Sequence, residues 1–239
     1  MHIMKNPSPE EGKERMPNMQ RRNFLKYLGM GSALVTAVSV AASCNKDDNN
    51  NPSGSNGVSL GSGDVAVLNY AYALEQLEAA FYTQVVNSPY AGMTSTELDF
   101  FQNIRDHEIG HREFFKATLS SSAIVGLEVN FSGIDFSKRD SVLGTAKAFE
   151  DLGVSAYNGA AQYISKTATG LVYLGLAGKI VSVEARHAAY IRDLITPGSF
   201  ADADVIDANG LDLVRTPAQV FAIAGTYIKT KIDTTTLPK

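Results

Sequence analysis

The sequence has no tryptophan and a single cysteine in 239 residues. One thiol excludes an intrachain disulfide framework and any zinc site built from cysteines alone. Strong charge of one sign is missing too: the formal net charge is -4, and no basic stretch follows the first thirty residues. A nucleic-acid partner is therefore not expected, because its electrostatic footprint is absent. The uncharged run at 27–43 is too short, and too rich in Gly, Ser and Ala, for a span of about 20 apolar residues. The length allows one or two domains, and 44% hydrophobic residues is ordinary. Function has to be read from particular residues.

The first of these lie near the N-terminus. Arg21 and Arg22, followed by Phe24, Leu25 and Lys26, precede the uncharged run and then small residues, the three-part order of a signal peptide. The paired arginines resemble the twin-arginine export signal, which implies export of a folded, often cofactor-loaded protein. Ala41, Ala42 and Ser43 before Cys44 resemble a lipobox, although alanine stands where leucine is preferred. That resemblance implies acylation of Cys44, and with it a membrane contact through a lipid anchor. Lys46-Asp47-Asp48 resembles the surface-export tag of Bacteroidetes lipoproteins, so the bacterial envelope, at the cell surface, is the expected location. The Asn, Pro, Ser and Gly that follow cannot bury a core and read as a flexible tether. The expected organisation is an export signal at 1–43, a tether at 44–63, a helical domain at 64–196 and a C-terminal extension at 197–239.

Beyond the tether, apolar residues recur at three- and four-residue spacing over 64–87, 95–121, 139–165 and 169–195, predicting four amphipathic helices. The second and third are joined by 122–138, a β-leaning stretch with Gly breaks, long enough to run the length of a helix. The other two connections are short. Short, long, short is the connectivity of an all-α four-helix bundle with one crossover. Thr216-Pro217 should cap a brief fifth helix ending near Lys229.

One pattern is used twice. Leu68, Glu75 and Tyr82 share a face of the first helix; Leu143, Glu150 and Tyr157 repeat that spacing on the third. The second helix aligns Ile104, Glu108, His111 and Phe115, and the fourth aligns Ile180, Glu184, His187 and Ile191. A lone glutamate on an apolar face usually escapes to solvent, and buried without a partner it costs several kcal/mol or takes up a proton. Four glutamates balance two divalent cations. Glu and His three residues apart share one helical face and can reach one metal. Carboxylate and imidazole donors without thiolates suit iron or manganese.

These motifs resemble the ferritin-like superfamily of dinuclear-metal four-helix bundles, and most closely its exported members, over 64–194. The resemblance implies the ligands Glu75, Glu108, His111, Glu150, Glu184 and His187, with Glu75 and Glu150 terminal, Glu108 and Glu184 bridging, and one histidine per metal. It also implies two iron ions, or manganese, and redox chemistry with dioxygen or peroxide, such as ferroxidase activity or peroxide detoxification. No catalytic residue is implied beyond the ligands. Tyr82, Tyr157, His107 and Glu78 are expected behind the ligands. The anchor argues for a monomer or small oligomer rather than a storage shell. Two other readings remain open: a lipoprotein with structural metal or none, working through loops such as 197–216, and a zinc peptidase using His107-Glu108-Ile109-Gly110-His111. The peptidase string fits metal chemistry on a helix, but the second half has Val183 in place of the first histidine.

Overall fold

The computed structural model describes residues 57–239; the export signal, Cys44 and most of the expected tether lie outside the described residues. Four long helices carry the domain: α1 (Gly63–Asn87), α2 (Ser95–Leu119), α3 (Arg139–Ala160) and α4 (Ala168–Ile195), with a short α5 (Pro217–Ala224) after them. Three of the five starts are written locally. Thr94 and Glu97 form a reciprocal capping box at α2, Thr167 accepts from the Gly170 amide at α4, and Thr216 with Gln219 boxes α5, with Pro217 in its first turn. Each cap satisfies amides that a helix start leaves without partners.

The expected bundle with one long crossover is the observed fold. The fifth helix is shorter than its pattern suggested, giving way at Gly225–Tyr227 to a 3-10 turn. The crossover at 120–138 forms no strand among the described residues. Only isolated bridges occur, such as Val129 with Ile228, because its neighbours are a helix and one tail.

α1 departs from the amphipathic expectation. It is buried nearly all round, including Asn69, Gln76 and Tyr72, which lie off its Glu75 face. Crossover and C-terminal tail cover its outer side. The Asn69 amide donates to the Leu60 and Ser122 carbonyls and accepts from the Ile124 amide, while Gln76 Oε1 accepts from the Leu127 amide. The tail then bonds to the crossover, Lys229 N to Glu128 O at 2.7 Å.

The tail also corrects the tether boundary. Val58 exchanges backbone hydrogen bonds with Lys231 and Asp233, and Leu60 is fully buried. The folded part therefore begins before Gly63, by Val58. The extension, expected as an appendage, belongs to one compact unit with the bundle. Its joint is Arg192 on α4, 2% exposed, which bonds bidentately to Asp151 on α3 and to Asp204 in the extension. Arg215 donates to Ser155 beside it. A cleft there is lined by Arg192, Asp151 and Arg215 and by apolar side chains such as Val154, Phe200 and Leu213.

α4 alone among the described helices is long and apolar enough to cross a membrane by length and composition, yet it buries Glu184 and His187 in the bundle. Its N-terminal half is the loosely covered part, with Leu171 56% and Val172 59% exposed.

Truncating one partner of a buried, hydrogen-bonded charge pair leaves the other uncompensated, at a cost of about 3–5 kcal/mol. Asp204 is exposed and Asp151 nearly buried, so Arg192→Ala should cost about 3 kcal/mol, toward the lower bound. Urea unfolding measures that loss, and limited proteolysis should cut the variant first within 198–215.

Candidate metal centre

Each inward glutamate is placed by its helix register. Glu75 comes from α1, Glu108 and His111 from α2, Glu150 from α3, Glu184 and His187 from α4. All four carboxylates are fully buried, and the two imidazoles nearly so. They form two clusters: Glu75, Glu108, His111 and Glu184 in one, and Glu108, Glu150, Glu184 and His187 in the other, each with donor atoms within 4.8 Å of one another. Glu108 and Glu184 belong to both.

The oxygens divide between the clusters. His111 Nδ1 lies 3.5 Å from Glu108 Oε2, 2.8 Å from Glu184 Oε1 and 3.4 Å from Glu75 Oε2. His187 Nδ1 lies 2.9 Å from Glu108 Oε1, 3.6 Å from Glu184 Oε2 and 3.5 Å from Glu150 Oε2. Each shared glutamate thus turns one oxygen to each histidine.

These atoms approach without satisfying one another. Both oxygens of Glu108 and Glu184, one each of Glu75 and Glu150, and Nδ1 of both histidines are buried without a hydrogen bond among the described residues. Eight lone-pair-bearing atoms aimed at two common points are costly in an apolar interior. Metal ions answer that cost: ligands on opposite sides of an ion bound at about 2.1 Å stand about 4.2 Å apart, within the observed spread. The donor set fits a dinuclear site.

The remaining glutamate oxygens are held from across the bundle. Tyr82 of α1 donates to Glu150 Oε1 at 2.5 Å, and Tyr157 of α3 donates to Glu75 Oε1. The pairs 82 with 150 and 75 with 157 run in opposite directions, so α1 and α3 are antiparallel. Sequence spacing put both tyrosines near the site but not this exchange; the signal was the common seven-residue step from Glu to Tyr, two turns on an antiparallel partner. Burial, then the adjacent carboxylates, raises both phenols well above their ordinary range and keeps them donors.

His107 lies outside both clusters. Its Nδ1 sits 2.9 Å from His187 Nε2, with the two rings nearly parallel at 8°. Burial, then the neighbouring imidazoles, lowers its pKa, which suits it to accept the His187 Nε2 proton and leave Nδ1 of His187 free toward the carboxylates. A zinc peptidase needs His107 and His111 on one metal, and here they face different partners.

Glu78 is buried one turn beyond Glu75 and also lies outside the clusters. It occupies the room left by Gly153, where a Cβ would come 3.1 Å from its Oε1. Burial, then the ligand-set carboxylates, pushes its carboxyl well up, favouring the neutral form over a fifth negative charge.

Electrostatics divide the ligand set. Burial raises Glu150 to about 8 despite the adjacent His187, and burial likewise raises Glu75. Glu108 goes the other way: burial opposes it, but His111 and His187 together hold its carboxyl below the ordinary range. For the histidines burial acts downward and is outweighed by the glutamates, so both are raised.

Removing a donor from a buried acceptor costs about 1–3 kcal/mol. Tyr82→Phe and Tyr157→Phe should each destabilise the metal-free protein by that amount, and by similar amounts, because they occupy equivalent places. Denaturant midpoints test this; no shift in either would mean that both carboxylates find other donors.

No curated protein matches the chain. A family profile described as the ferritin-like domain matches residues 63–197, from the first residue of α1 to just past α4. More than half the chain lies within that match, over the same helices that build the carboxylate cluster. The chain therefore belongs to the ferritin-like domain family.

Proposed function

We propose that the protein binds two redox-active metal ions, iron or manganese, through Glu75, Glu108, His111, Glu150, Glu184 and His187, and reacts with dioxygen or peroxide. The observation that carries this reading is the sharing of Glu108 and Glu184, one oxygen to each cluster. A shared carboxylate needs two ions. Four ligand carboxylates against two divalent ions give a site near neutrality, so burial is tolerated. Carboxylate and imidazole donors favour iron or manganese over metals that select thiolates. Bound there, such ions supply the electrons for reducing an oxidant. The chain's own residues hold the ligands in place and exclude bulk water. Tyr82 and Tyr157 each donate a hydrogen bond that orients Glu150 and Glu75, and His107 fixes the His187 tautomer.

Metal and protons compete for the same lone pairs. With Glu150 pushed up to about 8 and both histidines raised, the metal-free site holds protons at pH 6 that an ion must displace. Affinity should fall as pH drops from 8 to 6, by about tenfold per pH unit for each proton displaced. The metal-free fold moves oppositely. Above about pH 6.5 the unfolded histidines lose protons that folded His111 and His187 keep, so its stability declines as pH rises. Anaerobic loading followed by elemental analysis should find about two iron or manganese ions per chain. One zinc per chain, kept in His187→Ala and lost in His107→Ala, would overturn the reading.

Export and anchoring complete the proposal. The twin arginines at 21–22 and the lipobox-like run ending at the only cysteine support a bacterial envelope protein held by an acyl group on Cys44, as a monomer or small oligomer. Mass spectrometry of the membrane fraction should find lipid on a chain beginning at Cys44. A soluble product with a free thiol would remove the anchor and leave the site untouched.

A further inference from the structure

The two halves of the bundle are equivalent around the carboxylates but not beyond them. An apolar cleft at one end of the bundle is lined on its inner side by neighbours of the Glu75 half of the centre. Its outer end lies between half-buried Ile164 and Tyr173 and the start of α1 at Val67. Its inner end is Leu74, Phe115 and Tyr157. Leu74 adjoins Glu75, Phe115 is one turn past His111, and Tyr157 donates to Glu75. Ala71, Ala160 and Ala177 form its walls.

The repeat supplies an internal comparison. Stepping from one half to the other by the ligand registers, Ala177 of α4 corresponds to Phe101 of α2, Ala160 of α3 to Val85 of α1, and Leu74 of α1 to Phe149 of α3. In the second half Phe101, Val85 and Phe149 are all buried, Phe101 against Tyr82 and Phe149 against Phe81 and Tyr227. Three larger side chains close that end, and three smaller ones leave the first end open. Some exchanges go the other way, Phe115 for Ile191, Tyr70 for Thr145 and Tyr173 for Glu97, and the cleft persists despite them.

We propose that this cleft is a binding site and route for a small apolar molecule of the size and polarity of dioxygen, leading to the Glu75–His111 half of the centre and not to the Glu150–His187 half. Its use by an oxidant rests on the redox reading above; the cleft itself does not. The wall chemistry selects dioxygen over hydrogen peroxide. Peroxide must shed hydrogen bonds to water at a cost of several kcal/mol in an apolar passage, and dioxygen has none to shed. In the buried part of the wall the polar side-chain atom without a partner among the described residues is the Tyr70 hydroxyl. A single donor cannot replace the hydration of a peroxide.

Xenon is an apolar probe of similar size that reads the cleft without metal or turnover. With the metal-free full chain, xenon titration followed by NMR should shift the methyl signals of Ala71, Ala160 and Ala177 and leave those of Val85 and Val142 unmoved. Ala177→Phe, which copies the closed half, should reduce xenon affinity at least tenfold; Ala160→Val is the milder filling variant should the larger one fail to fold. Phe101→Ala should create a second xenon site beside Tyr82. No binding in the unaltered chain, or binding unchanged in both filling variants, would overturn the proposal. In metal-loaded protein, Ala160→Val should slow oxidation by dioxygen and not by peroxide; equal slowing would overturn the selectivity. Xenon binding in a chain that loads no metal would keep the cleft and remove the redox reading.

Discussion

Four glutamates without hydrogen-bonded exits sit at the centre of an apolar bundle, and the rest of the architecture answers to that fact. A carboxylate buried in such surroundings gains a proton, a counter-charge or a metal. The chain provides for all three. Tyr82 and Tyr157 hold one oxygen each on Glu150 and Glu75, the histidines lie against Glu108 and Glu184, and the unpartnered oxygens converge on two points. The metal-free fold is thus sustained by protons that the metal-loaded form would release. The cost of keeping these groups together is offset by burial of α1 on every side, which ties crossover, tail and N-terminal residues around one helix.

Much of this was legible before any coordinate. Periodicity located the helices within a few residues, and capped starts mark α2, α4 and α5 as well. The repeated Leu, Glu, Tyr spacing named the residues that meet at the centre, since side chains at multiples of about 3.6 residues share a face. What failed to show was everything decided by contact between distant segments. Gln76 and Asn69 lie off the ligand face of α1, and they are where the crossover is fastened. Val58 and Leu60 read as tether because nothing local says that Lys231 and Thr236 will pair with them. The extension read as separate because Arg192 gives no sign in sequence of choosing Asp151 and Asp204. Loop sequence carries turn chemistry; it does not carry the address of the surface it will meet.

The symmetry of the centre holds in its ligands and in the two tyrosines behind them, and it is broken at neighbouring positions. Where Gly153 removes a side chain from α3, Glu78 of α1 fills the space with a carboxyl held neutral. Where Val183 stands on α4, His107 on α2 supports His187 alone. Where Ala177 stands on α4, Phe101 on α2 seals its own end. Each exchange makes one half differ from the other in a different property: spare protons, imidazole orientation and access. They are also distributed unequally. The His107 contact serves the His187 half, and the apolar cleft reaches the His111 half. Two ions bound in such a site would share bridging carboxylates and still experience different second neighbours. A pair of ions with equal ligands and unequal surroundings can divide labour, one exposed to an incoming molecule and the other held by a fixed imidazole. That division follows from side chains within about two turns of the ligands, where a repeated pattern is free to diverge without giving up the charge balance that lets the centre be buried.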